Sequence, residues 1–210
     1  MTPENAHAWL EWAMRLQALA QDGLLFAQNP FDVERYGAVR QIAAKMMAAG
    51  SGWPTERVAG IFDGETGYAT PKVDVRGVVL QEGRMLLVRE RTDGRWTLPG
   101  GWADPGDTPS AAVEREIREE SGYLARAVKL LAVYDRARQG HQPPHPFAIY
   151  KLFFLCELTG GQAQESDETD GVGFFGRDAL PELSLARVTP RQLVRLFEHA
   201  RHPEWPADFD

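Results

Sequence analysis

The sequence predicts an α/β sandwich of about 135 residues preceded by a short helical segment. Three observations carry this. Residues 5–48 repeat apolar side chains at helical spacing. Residues 73–91 and 127–158 hold runs rich in β-branched and aromatic side chains. Two later segments open with a Thr-Pro pair, at 108–109 and 189–190, as helices often do.

The elements follow in order. NAHAWLEWAMRLQALAQDGLLFA (5–27) places Trp9, Ala13, Leu16, Ala20 and Leu24 on one helical stripe. FDVERYGAVRQIAAKMMA (31–48) predicts a second helix ending near Gly50 and Gly52, and a shorter third starts near Pro54. Three such helices hold too few residues for a core of their own. They are expected to pack on the main domain or on a second copy of the chain. GETGYATPK (64–72) reads as a linker, which divides a helical domain, 1–66, from a main domain, 67–210. Next come VDVRGVVL and RMLLVRER, two strands joined by a tight turn at Gln81-Glu82-Gly83. AVKLLAVYD, FAIYKLFFLCEL and VGFF predict further strands, and TPRQLVRLFEHARH a last helix capped by Thr189.

Composition narrows the function. The formal charge is −7 and the pI about 5.3, which argues against generic adhesion to nucleic acid or an anionic membrane. Cys156 is the single cysteine, so neither an intrachain disulfide nor a Cys-rich zinc site is available. The N-terminus lacks the basic start and apolar run of a signal peptide. No stretch approaches the roughly 18 apolar residues of a membrane span. A cytoplasmic, soluble protein is the expectation.

Residues 100–123, GGWADPGDTPSAAVEREIREESGY, raise the sharpest question. Thr108 and Pro109 start a helix that Gly122 ends. At 100° per residue, Glu119 lies about 60° to one side of Glu116 and Glu120 about 40° to the other. Three carboxylates thus share one edge, beside the apolar Val113 and Ile117. A solvated face with pairs Glu114–Arg118 and Arg115–Glu119 explains part of this. The pair Glu116–Glu120 is harder to explain that way. At about 5 Å, like charges cost about 0.8 kcal/mol in water and about 3 kcal/mol at an effective dielectric of 20. A hard cation, Mg²⁺ or Mn²⁺, among oxygen ligands would relieve it. The preceding glycines let the backbone pass close by and offer a carbonyl next to the glutamates.

The segment resembles the Nudix box, G-x5-E-x7-R-E-U-x-E-E-x-G-U, where U is a bulky aliphatic residue. Gly101, Arg115, Glu116, Glu119, Glu120 and Gly122 match it. With residue frequencies near 6%, a chance match has odds on the order of 10⁻⁵, which decides against the solvated-face reading. Asp107 stands where the pattern has Glu, and Tyr123 where it has an aliphatic residue. GYATPKVDVRGVV, YDRARQGHQPPHPFAIYKLFFLC and LPELSLARVTPRQL are similar to a subgroup with an N-terminal helical domain, linked with CDP-choline and ADP-ribose hydrolysis.

The resemblance implies a Nudix α/β/α sandwich with a mixed sheet. It also implies hydrolysis of a nucleoside diphosphate linked to a group X, with Mg²⁺ or Mn²⁺. CDP-choline is the first substrate expected and ADP-ribose the alternative, a non-catalytic nucleotide sensor being a third reading. By matched position, Glu116 and Glu120 are the main metal ligands, Glu119 assists, the Gly101 carbonyl completes the set, and Arg115 orients the glutamates. The base is Glu116, or else Glu168 or Asp170 in ESDETDG. The subgroup's helices imply a homodimer.

Other residues are candidates by chemistry alone. Arg89, Arg91, Arg95, Lys151 and Arg187 could meet phosphate. Trp96 and Trp102 bracket the glycines and could stack on a base or pack the core. His141 and His145 have a zinc-pair spacing without further ligands nearby, so His145 reads better as a loop residue at the pocket mouth.

Overall fold

The computed structural model describes residues 8–210, so positions 5–7 of the expected first helix lie outside the described residues. The described chain forms two compact units. One comprises residues 8–71 with Pro143–Ala148, the other Lys72–Gln142 with Ile149–Asp210.

The first unit holds α1 (Ala8–Phe26), α2 (Pro30–Ser51) and α3 (Thr55–Asp63). Asn29 caps α2 by accepting from the Asp32 amide, and Gly52 closes it in the left-handed conformation. Contrary to the expectation from length, these helices enclose a core. Ala13, Ala43, Ala44, Met47, Val58 and Phe62 form it, and Phe147 packs against it from the 143–148 segment, 6.0 Å from the Phe62 ring. The outer surface of α1 and α2 leaves Trp12, Leu19, Phe26, Phe31 and Ile42 exposed.

The second unit is built on a seven-stranded mixed sheet. Its strands are β1 (Lys72–Gln81), β2 (Arg84–Glu90), β3 (Trp96–Thr97), β4 (Tyr123–Asp135), β5 (Ile149–Gly161), β6 (Thr169–Phe175) and β7 (Asp208–Phe209). They run in the order β3-β2-β1-β5-β4-β7, with β6 paired to β2. The β1–β2 loop is Glu82-Gly83, both at positive φ, a mirror-type turn whose twist suits a hairpin. Central β1 pairs antiparallel with β2 and parallel with β5, and it faces two layers at once. Val75 and Val79 pack with Ala112, Val113 and Ile117 of α4 (Pro109–Ser121). Val78, on the alternate face, packs with Phe153 and with Leu193, Leu196 and Phe197 of α5 (Pro190–Arg201). Two helices thus cover opposite faces of one sheet, as expected. The Thr189 capping box starts α5.

Candidate active site

Helix α4 is placed by its ends and by its apolar edge. Thr108 accepts from the Ala111 amide, Pro109 opens the first turn, and Gly122 ends the helix at φ 74°. Ile117 lies so close to β1 that a Cβ on Gly77 would stand 2.5 Å from its Cδ1. Residues 99–103 run beside β1. The Val75, Gly77 and Ala103 amides donate to the Gly101, Pro99 and Val73 carbonyls. The site's backbone and its helix are therefore both registered on one strand.

The box glutamates separate into two kinds. Glu120 is only 5% exposed, and its Oε2 accepts from the Gly100 amide at 2.8 Å. Burial pushes its pKa up to about 8, against Arg76 and the Gly100 amide, while Glu90 and Glu116 push the same way as burial. Glu116 is largely buried beside Gly101, with Oε2 2.9 Å from where a Cβ there would sit. Burial raises its pKa as well, opposed chiefly by Arg115. Glu119 departs from the three-carboxylate edge expected of the helix. Its side chain is 50% exposed and pairs with Arg115 at 3.1 Å and Arg118 at 3.5 Å. The cause is its position 100° around the helix from Glu120, away from the sheet. Among the described residues, no group of three or more His, Cys, Asp and Glu side chains converges as if to hold a metal.

Arg115 gathers four carboxylates: Asp104 at 3.4 Å, Asp107 at 3.2 Å, Glu116 at 2.7 Å and Glu119 at 3.1 Å. Burial opposes its charge, but Glu116, Glu119 and Asp107 outweigh that and raise its pKa. Asp107, one methylene shorter than the Glu of the pattern, thus still reaches Arg115. The Gly101 carbonyl is taken into the ladder by the Val75 amide at 2.8 Å. The Gly100 carbonyl accepts no backbone hydrogen bond among the described residues, so it too is available as an oxygen donor. Gly100 sits at φ 142°, where a Cβ would stand 2.0 Å from the Val75 carbonyl oxygen.

Behind these residues lie charged groups the sequence reading did not single out. Glu90, at the end of β2 and in step with Leu86 and Val88, is buried and pairs with Arg187 Nε at 2.8 Å. Burial raises its pKa; Arg187 and Arg76 oppose, while Asp93 and Glu168 add to the rise. Its place two residues after the continuous apolar run Met85–Val88 carried no periodic signal of burial. On β1, Arg76 donates to Asp74 through Nε and Nη2, both at 2.9 Å, and to the Leu98 carbonyl at 3.1 Å. Burial would raise the Asp74 carboxyl, yet Arg76 and Lys151 hold it well below the usual range.

The remaining candidates disperse. Lys151 is 1% exposed and bound to Asp74 Oδ1 at 2.6 Å, so it is committed inside the protein and does not wait at the surface for phosphate. Arg187 is spent on Glu90, Asp93, Ser184 and Thr92. Arg89 pairs with Asp170 at 2.7 Å, Arg91 with Glu165 and the Ser166 carbonyl, and Arg95 with Glu182. Trp96 packs the core, its ring 4.7 Å from Phe175 and edge-on to it. Trp102 is half-exposed beside Gly101. Glu168 is exposed in the 166–169 turn. His141 is buried in the second unit and bound to the Leu185 carbonyl, whereas His145 belongs to the first unit and lies beside Phe147.

Comparison with known proteins gives this arrangement a family. Residues 70–197 match the NUDIX domain, and residues 7–62 match a UDP-X-like, N-terminal oligomerisation domain. This chain is a Nudix hydrolase. The Bacillus subtilis (strain 168) protein YjhB, provisionally named an ADP-ribose pyrophosphatase, is 46% identical over 202 residues, 96% of this chain and 97% of its own. A crystal structure titled as a UDP-X diphosphatase has 33% identity and a TM-score of 0.63, covering 98% of this chain and 99% of that one. An ADP-ribose pyrophosphatase structure from Streptococcus suis has 39% identity and a TM-score of 0.62, covering 67% of this chain and all of that one (100%).

Nudix hydrolases generally use divalent metal ions. The donor set of this Nudix hydrolase fits such an ion. Glu116 and Glu120 are buried carboxylates whose charges repel each other, and the open Gly100 carbonyl lies on the segment that Glu120 binds. All are hard oxygen donors, which suit Mg²⁺ or Mn²⁺ better than softer metals. Among the described residues, no helix is long and apolar enough to cross a membrane.

Proposed function

We propose that this Nudix hydrolase cleaves the diphosphate of a nucleoside diphosphate linked to a second group, using Mg²⁺ or Mn²⁺ held by Glu116 and Glu120. The observation that carries the reading is the burial of Glu120 against the Gly100 amide, with Glu90 and Glu116 close enough to oppose its ionisation. A cation at that point supplies positive charge against the phosphate oxygens and lowers the pKa of water. The chain's own residues do the rest. Glu120 on α4 and the Gly100 carbonyl on the segment beside β1 would hold the ion, and Arg115 holds Glu116 by a charge-assisted hydrogen bond. Glu119 assists through Arg115. Glu116 is the first candidate for the base, with Glu168 and Asp170 as its rivals.

ADP-ribose, giving AMP and ribose 5-phosphate, is supported by the names of two of the relatives. CDP-choline, giving CMP and phosphocholine, rests on the sequence resemblance alone. Incubating the purified protein with each compound and Mg²⁺ or Mn²⁺, and resolving the products by chromatography, separates the two. No turnover of any nucleoside diphosphate derivative would overturn the reading.

Self-association through α1 and α2 is part of the same proposal. Leu19, Phe26 and Phe31 on these helices are large apolar side chains left exposed, and the matching family is named for oligomerisation. Phe26→Glu is expected to convert a dimer into a monomer in sedimentation velocity runs.

A further inference from the structure

Three buried charges stand behind the glycine segment. Asp74 faces Lys151 across the parallel β1–β5 ladder, and one oxygen, Asp74 Oδ1, takes both Lys151 Nζ at 2.6 Å and Arg76 Nε at 2.9 Å. Arg76 then spends Nη1 on the Leu98 carbonyl. Its two neighbours in β1 grip the same segment, Val75 through the Gly101 carbonyl and Gly77 through the Pro99 carbonyl. Residues 98–101 are therefore held at three successive points of β1, and the middle point is a side chain. From this segment the Gly100 amide reaches Glu120.

A buried ionic triad is a poor way to gain stability, because desolvation of the charges rivals their attraction and apolar replacements often do as well. Its benefit here is geometric. Lys151 fixes the Asp74 carboxylate, Asp74 fixes the plane of the Arg76 guanidinium, and that plane fixes where Leu98 turns toward Gly100. Arg76 also lies near enough to Glu90 and Glu120 for its charge to act on both.

Building on the metal reading above, we infer that Lys151, Asp74 and Arg76 form a positioning chain which sets the Gly100–Glu120 contact, so that a buried lysine on β5 tunes divalent-cation affinity without touching the ion. The chain belongs to neither the box nor its helix.

The test is Mn²⁺ binding to the full-length protein, without nucleotide, followed by the electron paramagnetic resonance signal of free Mn²⁺. Wild type is compared with Lys151→Met, Lys151→Arg and Asp74→Asn, with thermal melts run in parallel. Lys151→Met and Asp74→Asn are expected to stay folded and to bind Mn²⁺ about tenfold more weakly. Lys151→Arg, which keeps a donor and a charge, is expected to recover affinity to within about threefold of wild type. Folded variants with wild-type affinity would overturn the inference. So would failure of Lys151→Arg to rescue, or loss of the fold in both Lys151→Met and Asp74→Asn, since either would make the triad plain scaffold. Wild-type protein that bound no Mn²⁺ would instead overturn the metal reading itself.

Discussion

The Gly100 amide donates to Glu120 Oε2 across 2.8 Å, joining residues 20 positions apart in sequence. That single bond ties the glycine segment to the helix and fixes one buried carboxylate beside another. It makes Glu120 the residue whose loss should separate chemistry from folding.

Glu120→Gln keeps the size of the side chain and an oxygen for the Gly100 amide, but removes the charge. Hydrolysis of the best substrate should fall by about 10²-fold or more, as for loss of a group stabilising developing charge. The melting temperature without metal should stay level or rise at pH 8, because a buried charge is gone. Turnover and thermal melts of the same preparation check both.

The raised pKa of Glu120 makes stability depend on pH in a definite direction. Its folded value of about 8 lies above the value of about 4.5 expected for an unfolded chain, so the folded state binds the extra proton between the two. Its contribution is fully present below about pH 4.5 and is lost as pH rises through about 8. Metal-free protein should therefore lose stability across that window, while Mn²⁺ affinity should climb over it as the proton leaves. Urea melts and Mn²⁺ titrations at pH 6, 7, 8 and 9 would show it, and Glu120→Gln should flatten both trends.

Gly77→Ala should act on packing. Its new methyl would stand 2.5 Å from Ile117 Cδ1 and 3.3 Å from Val113 Cγ2. Pushing α4 off β1 is expected to cost about 1–3 kcal/mol. Pairing it with Ile117→Val should recover part of the loss in urea unfolding.

Arg187 and Glu90 offer a coupling measurement. Removing the guanidinium in Arg187→Met leaves Glu90 buried and unpaired, at an expected cost of about 2 kcal/mol. Adding Glu90→Gln should relieve most of that penalty. A double-mutant cycle on unfolding free energies gives the coupling directly, and strict additivity would contradict the pairing.

Much of the site was legible because its signals are local. Thr108, Pro109 and Gly122 mark the ends of α4 through cap chemistry that depends on a few neighbouring residues. The β1–β2 hairpin was readable for the same reason. What escaped depends on partners distant in sequence. Asp74 and Arg76 alternate with valines as the wet face of a strand would, but both are buried, bound to Lys151 on the neighbouring strand and to the Leu98 carbonyl. A helical wheel puts Glu119 with Glu116 and Glu120, and only the sheet beneath reveals which two turn inward. Which glycine keeps an open carbonyl was settled by the pairing of residues 99–103 with β1. The two-residue strands β3 and β7 exist only through their neighbours and carry no periodic signal.

Phe147 carries a consequence for how the chain is made. It packs against the hydrophobic interior of the helical unit although it arrives some 85 positions after Phe62, the aromatic ring it meets (147 − 62). During synthesis Phe147 becomes available to the three N-terminal helices only after its own stretch of chain has left the ribosome. A single cut after α3 would leave residues 143–148, which group with the helical unit, behind on the other fragment.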